Sequence, residues 1–187
     1  MNNKLIVLVG DSASGKSSIA KELIKSFDYK KLVTYTTRSP RKGEVDGIDY
    51  HFVDKDTMDK MITDKAFFDI AQYAKWYYAA PTEPINQKTV VILTPIGFRR
   101  AKKQYGSRIV SFYINVPRRD RLIKELQRGD DIEEAYRRNL SDVGMFDGIA
   151  EEVDYVINNE GYHMNPHYIA NKIVNIVDIG GIGNINE

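Results

Sequence analysis

Short apolar runs alternate along this chain with stretches whose apolar residues recur every three or four positions. Residues 5–9 read Leu-Ile-Val-Leu-Val, the continuous pattern of a strand buried on both faces of a parallel sheet. From Ser17 to Lys25 the apolar positions are Ile19, Leu23 and Ile24, which is helical spacing. The same reading predicts strands over 31–35, 89–93, 108–114 and 153–157, and helices over 97–104, 118–127, 132–146 and 166–177. Strands alternating with helices predict an α/β fold, a parallel five-stranded sheet flanked by helices. Residues 36–80 break the alternation. They are polar, charged and aromatic, with a strand-like Tyr50-His51-Phe52-Val53, a helix near 54–63 and a further stretch over 66–78. They read as an inserted α+β subdomain. Residues 180–187 hold a glycine cluster without periodicity and read as a loose tail.

Between the first strand and the first helix lies Gly10-Asp11-Ser12-Ala13-Ser14-Gly15-Lys16-Ser17, which fits G-x-x-x-x-G-K-[ST]. Strand, glycine loop and helix come in the order a phosphate-binding loop requires. Glycines let backbone N–H groups close around phosphate, and the helix N-terminus, with Ser18 in its first turn, adds partial positive charge. Lys16 can reach the β- and γ-phosphates of a nucleoside triphosphate, and the Ser17 hydroxyl can ligate Mg²⁺. The competing reading is a flexible Gly/Ser turn, which the flanking strand and helix make much the poorer one.

Composition narrows the remaining classes. The 187 residues suit one domain with a sizeable core. A net charge of +1 provides no global field for nucleic acid or a membrane surface, so anion recognition must be local. The chain has no cysteine, which excludes disulfides, a thiolate nucleophile and a Cys-based zinc site. His51, His163 and His167 lack metal-ligand spacing. No apolar stretch approaches a membrane span, and nothing at the N-terminus reads as a signal peptide. The expectation is a cytoplasmic protein whose partners are small nucleotides, as a monomer or homodimer, with no nucleic acid and no membrane.

The insert opens with a second candidate anion site. Arg38 and Arg41 stand three apart, followed by Glu44, Gly47, Tyr50 and Phe52. Arginine pairs bidentately with phosphate, and a tyrosine hydroxyl adds a donor. Alone this would be a solvated basic loop, but beside a phosphate loop it suggests an acceptor site facing a donor site. The segment matches T-T-R-x-x-R-x-x-E-x-x-G-x-x-Y-x-F at every fixed position from Thr36 to Phe52. In this the chain resembles the guanylate kinases, from Lys4 to about Ile176. The resemblance implies a P-loop nucleoside monophosphate kinase with a core (1–35, 81–116, 149–179), an acceptor-binding insert (36–80) and a helical lid (117–148). It implies transfer of the γ-phosphoryl group of MgATP to GMP or dGMP. Arg38, Arg41, Tyr50 and Tyr78 would hold the acceptor phosphate, with Thr34 near the base. Arg128 fits the lid's R-G motif. A gapless match sets Asn139 at the second lid arginine, so Arg138, or else Arg137, would serve after a small helix rotation. Lys16, Arg38, Arg128 and Arg138 would be the catalytic cations, and Asn159 would lie near the donor adenine.

The base-reading positions depart from that family. Asp69 stands where a glutamate accepts guanine N–H bonds, one methylene shorter. Ala80 stands where a hydroxyl bonds guanine and can neither donate nor accept; a lost bond of this kind costs about 0.5–1.5 kcal/mol net. The third strand leads into Leu93-Thr94-Pro95-Ile96-Gly97 with no carboxylate, and Thr94 would substitute in part through its hydroxyl. Trp76 could stack on a base, although a lone tryptophan is more often a packing residue. These departures keep open a different or modified nucleobase, or a catalytically weak binding module built on the same fold.

Overall fold

A computed structural model describes residues 3–41, 43–73, 75–129 and 131–179. The first strand, β1 (Leu5–Val9), runs into the glycine loop and then α1 (Lys16–Phe27). Next come β2 (Lys30–Lys31), β3 (Tyr35–Thr36), β4 (His51–Phe52), α2 (Lys55–Thr63), β5 (Phe67–Tyr73) and β6 (Trp76–Pro81). The chain continues through β7 (Thr89–Ile92), α3 (Pro95–Tyr105), β8 (Ile109–Asn115), α4 (Arg118–Arg128) and α5 (Ile132–Ser141). It closes with α6 (Ile149–Glu152), β9 (Tyr155–Asn158) and α7 (Pro166–Ile179).

The main sheet has the order β2-β7-β1-β8-β9, and its pairings are parallel. β1 is central and buried throughout, which is why it carries no polar residue. Its side chains alternate between two cores. Ile6 and Leu8 meet Ile19 and Leu23 of α1 and Ile169 and Ile173 of α7. Leu5, Val7 and Val9 face the layer of Phe98, Ala101 and Tyr105 from α3. A second, four-stranded sheet has the order β4-β3-β6-β5 and comes entirely from residues 35–81.

Two expected elements differ. The strand expected over 31–35 is two strands in different sheets, since Lys31 pairs with Val90 in the main sheet while Tyr35 pairs with Ala79 in the other. The segment is continuous in sequence but crosses from one sheet to the next. The helix expected over 132–146 ends at Ser141, and the chain then turns through Gly144 and Gly148, both at φ 75°. An L side chain is strained at that φ, so these glycines suit the turns. The tail 180–187 lies outside the described residues.

Candidate active site

The glycine loop is held tightly where β1 meets α1. A Cβ on Gly10 would lie 2.7 Å from the Ile114 carbonyl oxygen and 2.8 Å from Ser14 Oγ, so no side chain fits there. Gly15 caps α1 at φ 97°, turning the loop amides inward. Ser17 and Ser18 are exposed at the start of α1. Lys16 folds back over the loop, its Nζ donating to the Asp11 carbonyl at 2.5 Å and to Ser14 Oγ at 3.2 Å. Burial lowers its pKa to about 8, opposed by the carboxylates of Asp142 and Asp11 and reinforced by Arg121.

Arg121, Asp11 and Asp142 lock this loop to the helices beyond it. Arg121 is 5 % exposed. Its Nη2 lies 2.9 Å from Asp11 Oδ1 and its Nη1 3.7 Å from Asp142 Oδ2. It also donates to the carbonyls of Val116 (3.1 Å) and Ser12 (3.2 Å). The Ser12 N–H donates to Asp142 Oδ2 at 2.7 Å. Burial raises the Asp11 pKa; Arg121 opposes this, and Asp142 adds to it. Neither Arg121 nor Asp142 was among the expected site residues. Arg121 stands in a run of similar arginines and Asp142 in no motif, so no local pattern marks them.

Two cavities flank the loop. The first, about 300 Å³, opens toward the second sheet. Lys16, Thr34, Arg41, Tyr50, Asp69, Tyr78, Ala80 and Thr94 line it. Ile92, Leu93, Met145 and Phe146 supply apolar walls. Arg38 is not on this lining. It lies behind it, donating through Nε to the Tyr78 hydroxyl (3.2 Å) and through Nη2 to both Glu44 oxygens (2.9 Å each). Thr36 and Thr37 of the same motif stitch the sheet: the Thr36 hydroxyl donates to the Tyr77 carbonyl, and the Tyr77 N–H donates to Thr37 Oγ1. Trp76 starts β6, its ring 4.7 Å from the Lys75 ammonium, and is not on the lining either.

The second cavity, about 680 Å³, runs along the other side of the loop. Residues 13–18 of the loop line it, with Arg128 and Arg138. Asn159, Tyr162, Met164 and Ile169 line it as well. The Asn159 amide is engaged within its own turn, donating to the Met164 carbonyl (3.1 Å) and accepting from the Met164 N–H (2.9 Å). The Tyr162 hydroxyl donates to the Ala13 carbonyl at 2.7 Å, tying that turn to the glycine loop. Lys16, Arg41 and Arg138 line both cavities. In α5, Arg138 rather than Asn139 reaches the two cavities; Asn139 is buried, with Nδ2 donating to Glu125 Oε2 at 2.7 Å. Arg137 borders the first cavity only.

A Gly-rich loop on a parallel sheet, between two cavities that share three cations, defines a P-loop protein built to hold two phosphorylated ligands. The guanylate kinase family model matches residues 2–171. The chain belongs to the guanylate kinase family. It is 32% identical over 163 residues to the guanylate kinase of Prochlorococcus marinus subsp. pastoris, covering 83% of this chain and 89% of that one. Against the guanylate kinase of Caulobacter vibrioides it is 34% identical over 166 residues, covering 84% and 78%. The fold is similar to the crystal structure of guanylate kinase from Anaplasma phagocytophilum, with a TM-score of 0.70 and 23% identity over 97% of this chain and 88% of that one. Among the described residues, no helix is long and apolar enough to cross a membrane, and no group of three or more His, Cys, Asp or Glu could hold a metal ion.

Proposed function

We propose that this protein transfers the γ-phosphoryl group of MgATP to GMP or dGMP, giving ADP and the nucleoside diphosphate. The observation that carries this reading is the shared lining of Lys16, Arg41 and Arg138, which sets three cations at the junction of the two cavities. The larger cavity takes ATP, with its phosphates on the amides of residues 13–18. The smaller takes the monophosphate, with its phosphate toward Arg41, Tyr50 and Tyr78 and its base toward Asp69 and Thr94. An oxygen of the acceptor phosphate attacks the γ-phosphorus in line, the bond from that phosphorus to the β–γ bridging oxygen breaks, and ADP leaves with the electron pair. No protein nucleophile is needed; the chain contributes positioning and positive charge. Arg38 acts from behind, orienting the Tyr78 hydroxyl. Arg128 and Arg138 face the donor phosphates from the lid.

The exposed Ser17 hydroxyl fits a Mg²⁺ that arrives on ATP, since such an ion takes most of its ligands from phosphates and water and needs few from protein. When bound, Mg²⁺ neutralises charge on the β- and γ-phosphates. A cytoplasmic location, as a monomer or homodimer, goes with free nucleotide substrates and a chain lacking cysteine. The test is a coupled assay with MgATP and a panel of monophosphates. GMP or dGMP should be phosphorylated and Lys16→Ala should abolish turnover. Turnover confined to non-guanine monophosphates, or none at all, would overturn the proposal.

A further inference from the structure

Asp69 is a carboxylate on the lining of the acceptor cavity, and one of its two oxygens is already engaged. Oδ1 accepts from Arg100 Nη1 at 2.6 Å, and the same Nη1 donates to the Ile70 carbonyl at 2.7 Å. Arg100 therefore grips the side chain and backbone of β5 together. Oδ2 is pressed against α3: a Cβ built on Gly97 would lie 2.5 Å from it. The carboxylate is 6 % exposed and sits between a guanidinium and a helix that approaches only because residue 97 is glycine. With Oδ1 held by Arg100, Oδ2 is the oxygen left to accept from a ligand.

Guanine offers two adjacent N–H donors on one edge, the ring N1–H and the 2-amino group. Reading both takes a carboxylate with its bidentate edge open. Asp69 is also short, lies opposite Ala80 in the β5–β6 register, and gains no hydroxyl from that neighbour. One accepted bond, from N1–H, is what this side chain can give. The 6-oxo group fares better. Thr94 lines the cavity, and its Oγ1 accepts from the Gly97 N–H at 3.1 Å as the cap of α3, so its own hydroxyl proton remains to be donated to a carbonyl oxygen. The Asp69–Thr94 pair thus suits a 6-oxopurine, and Asp69 offers no second open oxygen to a 2-amino group.

We infer that Arg100 is a specificity-determining residue acting through Asp69, and that the acceptor class is 6-oxopurine nucleoside monophosphates with or without the 2-amino group. Inosine monophosphate (IMP), whose base hypoxanthine differs from guanine only in lacking that amine, is then a substrate comparable to GMP. This rests on the proposed kinase reading. A charge-assisted hydrogen bond to the amine would favour GMP by roughly tenfold to a hundredfold; without one the preference falls to about threefold or less.

The experiment measures kcat/KM for GMP and IMP at saturating MgATP, in the wild type and in Arg100→Gln and Arg100→Lys. The expected wild-type ratio of GMP to IMP is about threefold or less. In Arg100→Gln the released carboxylate should raise the ratio about tenfold, through KM for GMP with kcat little changed. Arg100→Lys, which keeps a cationic donor on Asp69, should stay near the wild type. A merely structural role would lower both substrates equally and leave the ratio alone. A wild-type ratio above about thirtyfold, or a ratio unmoved by Arg100→Gln, overturns the inference while leaving the kinase intact. Failure of both GMP and IMP to react overturns the kinase reading itself.

Discussion

Replacing Arg121 with methionine should destabilise the protein more than any surface charge change. Methionine keeps much of the length and the apolar stem, so the lost quantity is the guanidinium and its bonds. Four groups lose a partner: the carbonyls of Val116 and Ser12, and the carboxylates of Asp11 and Asp142. Removing one member of a buried ion pair costs about 3–5 kcal/mol, because the other charge stays buried and unbalanced. Lys16 softens the loss, since it already interacts with both carboxylates and Arg121 opposes its charge. The expected penalty is therefore near the lower limit, about 3 kcal/mol. For a chain of this size each kcal/mol moves Tm by roughly 2–4 °C, so Tm should fall by about 6–12 °C. Urea unfolding followed by far-UV circular dichroism gives the free energy. Fluorescence of Trp76 is a poor substitute, because that residue reports on β6 in the second sheet. A double-mutant cycle with Asp11→Asn should show a coupling of at least ~1 kcal/mol, as for residues sharing one network. A loss below about 1 kcal/mol, or a coupling indistinguishable from zero, would refute the idea that this arginine fastens the phosphate loop.

Burial opposes the charged form of Lys16 and pushes its pKa down to about 8, far below the ordinary lysine value. Bound triphosphate favours that form, so binding of MgATP at pH 8.5 should take up about 0.7 of a proton and at pH 6.5 almost none; calorimetry in buffers of different ionisation enthalpy reads this, and uptake below about 0.2 at pH 8.5 would contradict it. In the same protein without nucleotide, the native state holds fewer protons on Lys16 than the unfolded chain between about 8 and 10.5, so this group's contribution to stability rises with pH across that window. Asp142→Asn removes the carboxylate that most supports the lysine's charge, and the alkaline limb of the pH profile for ATP binding should move down by about half a unit or more. Gly97→Ala adds a methyl where Asp69 Oδ2 now sits, in a helix that otherwise gains from alanine. KM for the monophosphate should rise about tenfold while KM for ATP is unchanged and stability shifts by less than about 1 kcal/mol; steady-state kinetics with a thermal melt separate the two effects.

The core and the glycine loop were legible in sequence because each is encoded over a short span. Five consecutive apolar residues can only be a doubly buried strand once a glycine loop and an amphipathic helix follow, and β1 is fully buried. Arg41 and Tyr50 of the arginine–tyrosine motif, and Tyr78 from β6, line one cavity together. The run over 31–35 misled because hydrophobicity says that a segment is buried without saying in which sheet. Arg38 shows a different limit: the motif marks its importance, but its place behind Tyr78 depends on Glu44, six residues on, and on a sheet partner forty residues away.

The residues that tune the site were invisible for a related reason. Asp142 meets Ser12 across 130 positions, Arg121 meets Ser12 across 109, and Arg100 meets Asp69 across 31. None of these pairs belongs to a contiguous pattern, so each side chain looks like one more solvated charge until the fold removes water from around it. Their effects differ accordingly. Loop motifs determine where phosphate sits, because backbone amides and a helix terminus are fixed by local geometry. The charge state of Lys16 and the reach of Asp69 are set by groups brought in from elsewhere. A change at Asp142 or Arg100 can therefore alter proton balance or base choice without touching the motif that identifies the chain. Sequences sharing the phosphate loop and the arginine–tyrosine insert can thus differ in acceptor base while their phosphate chemistry stays the same.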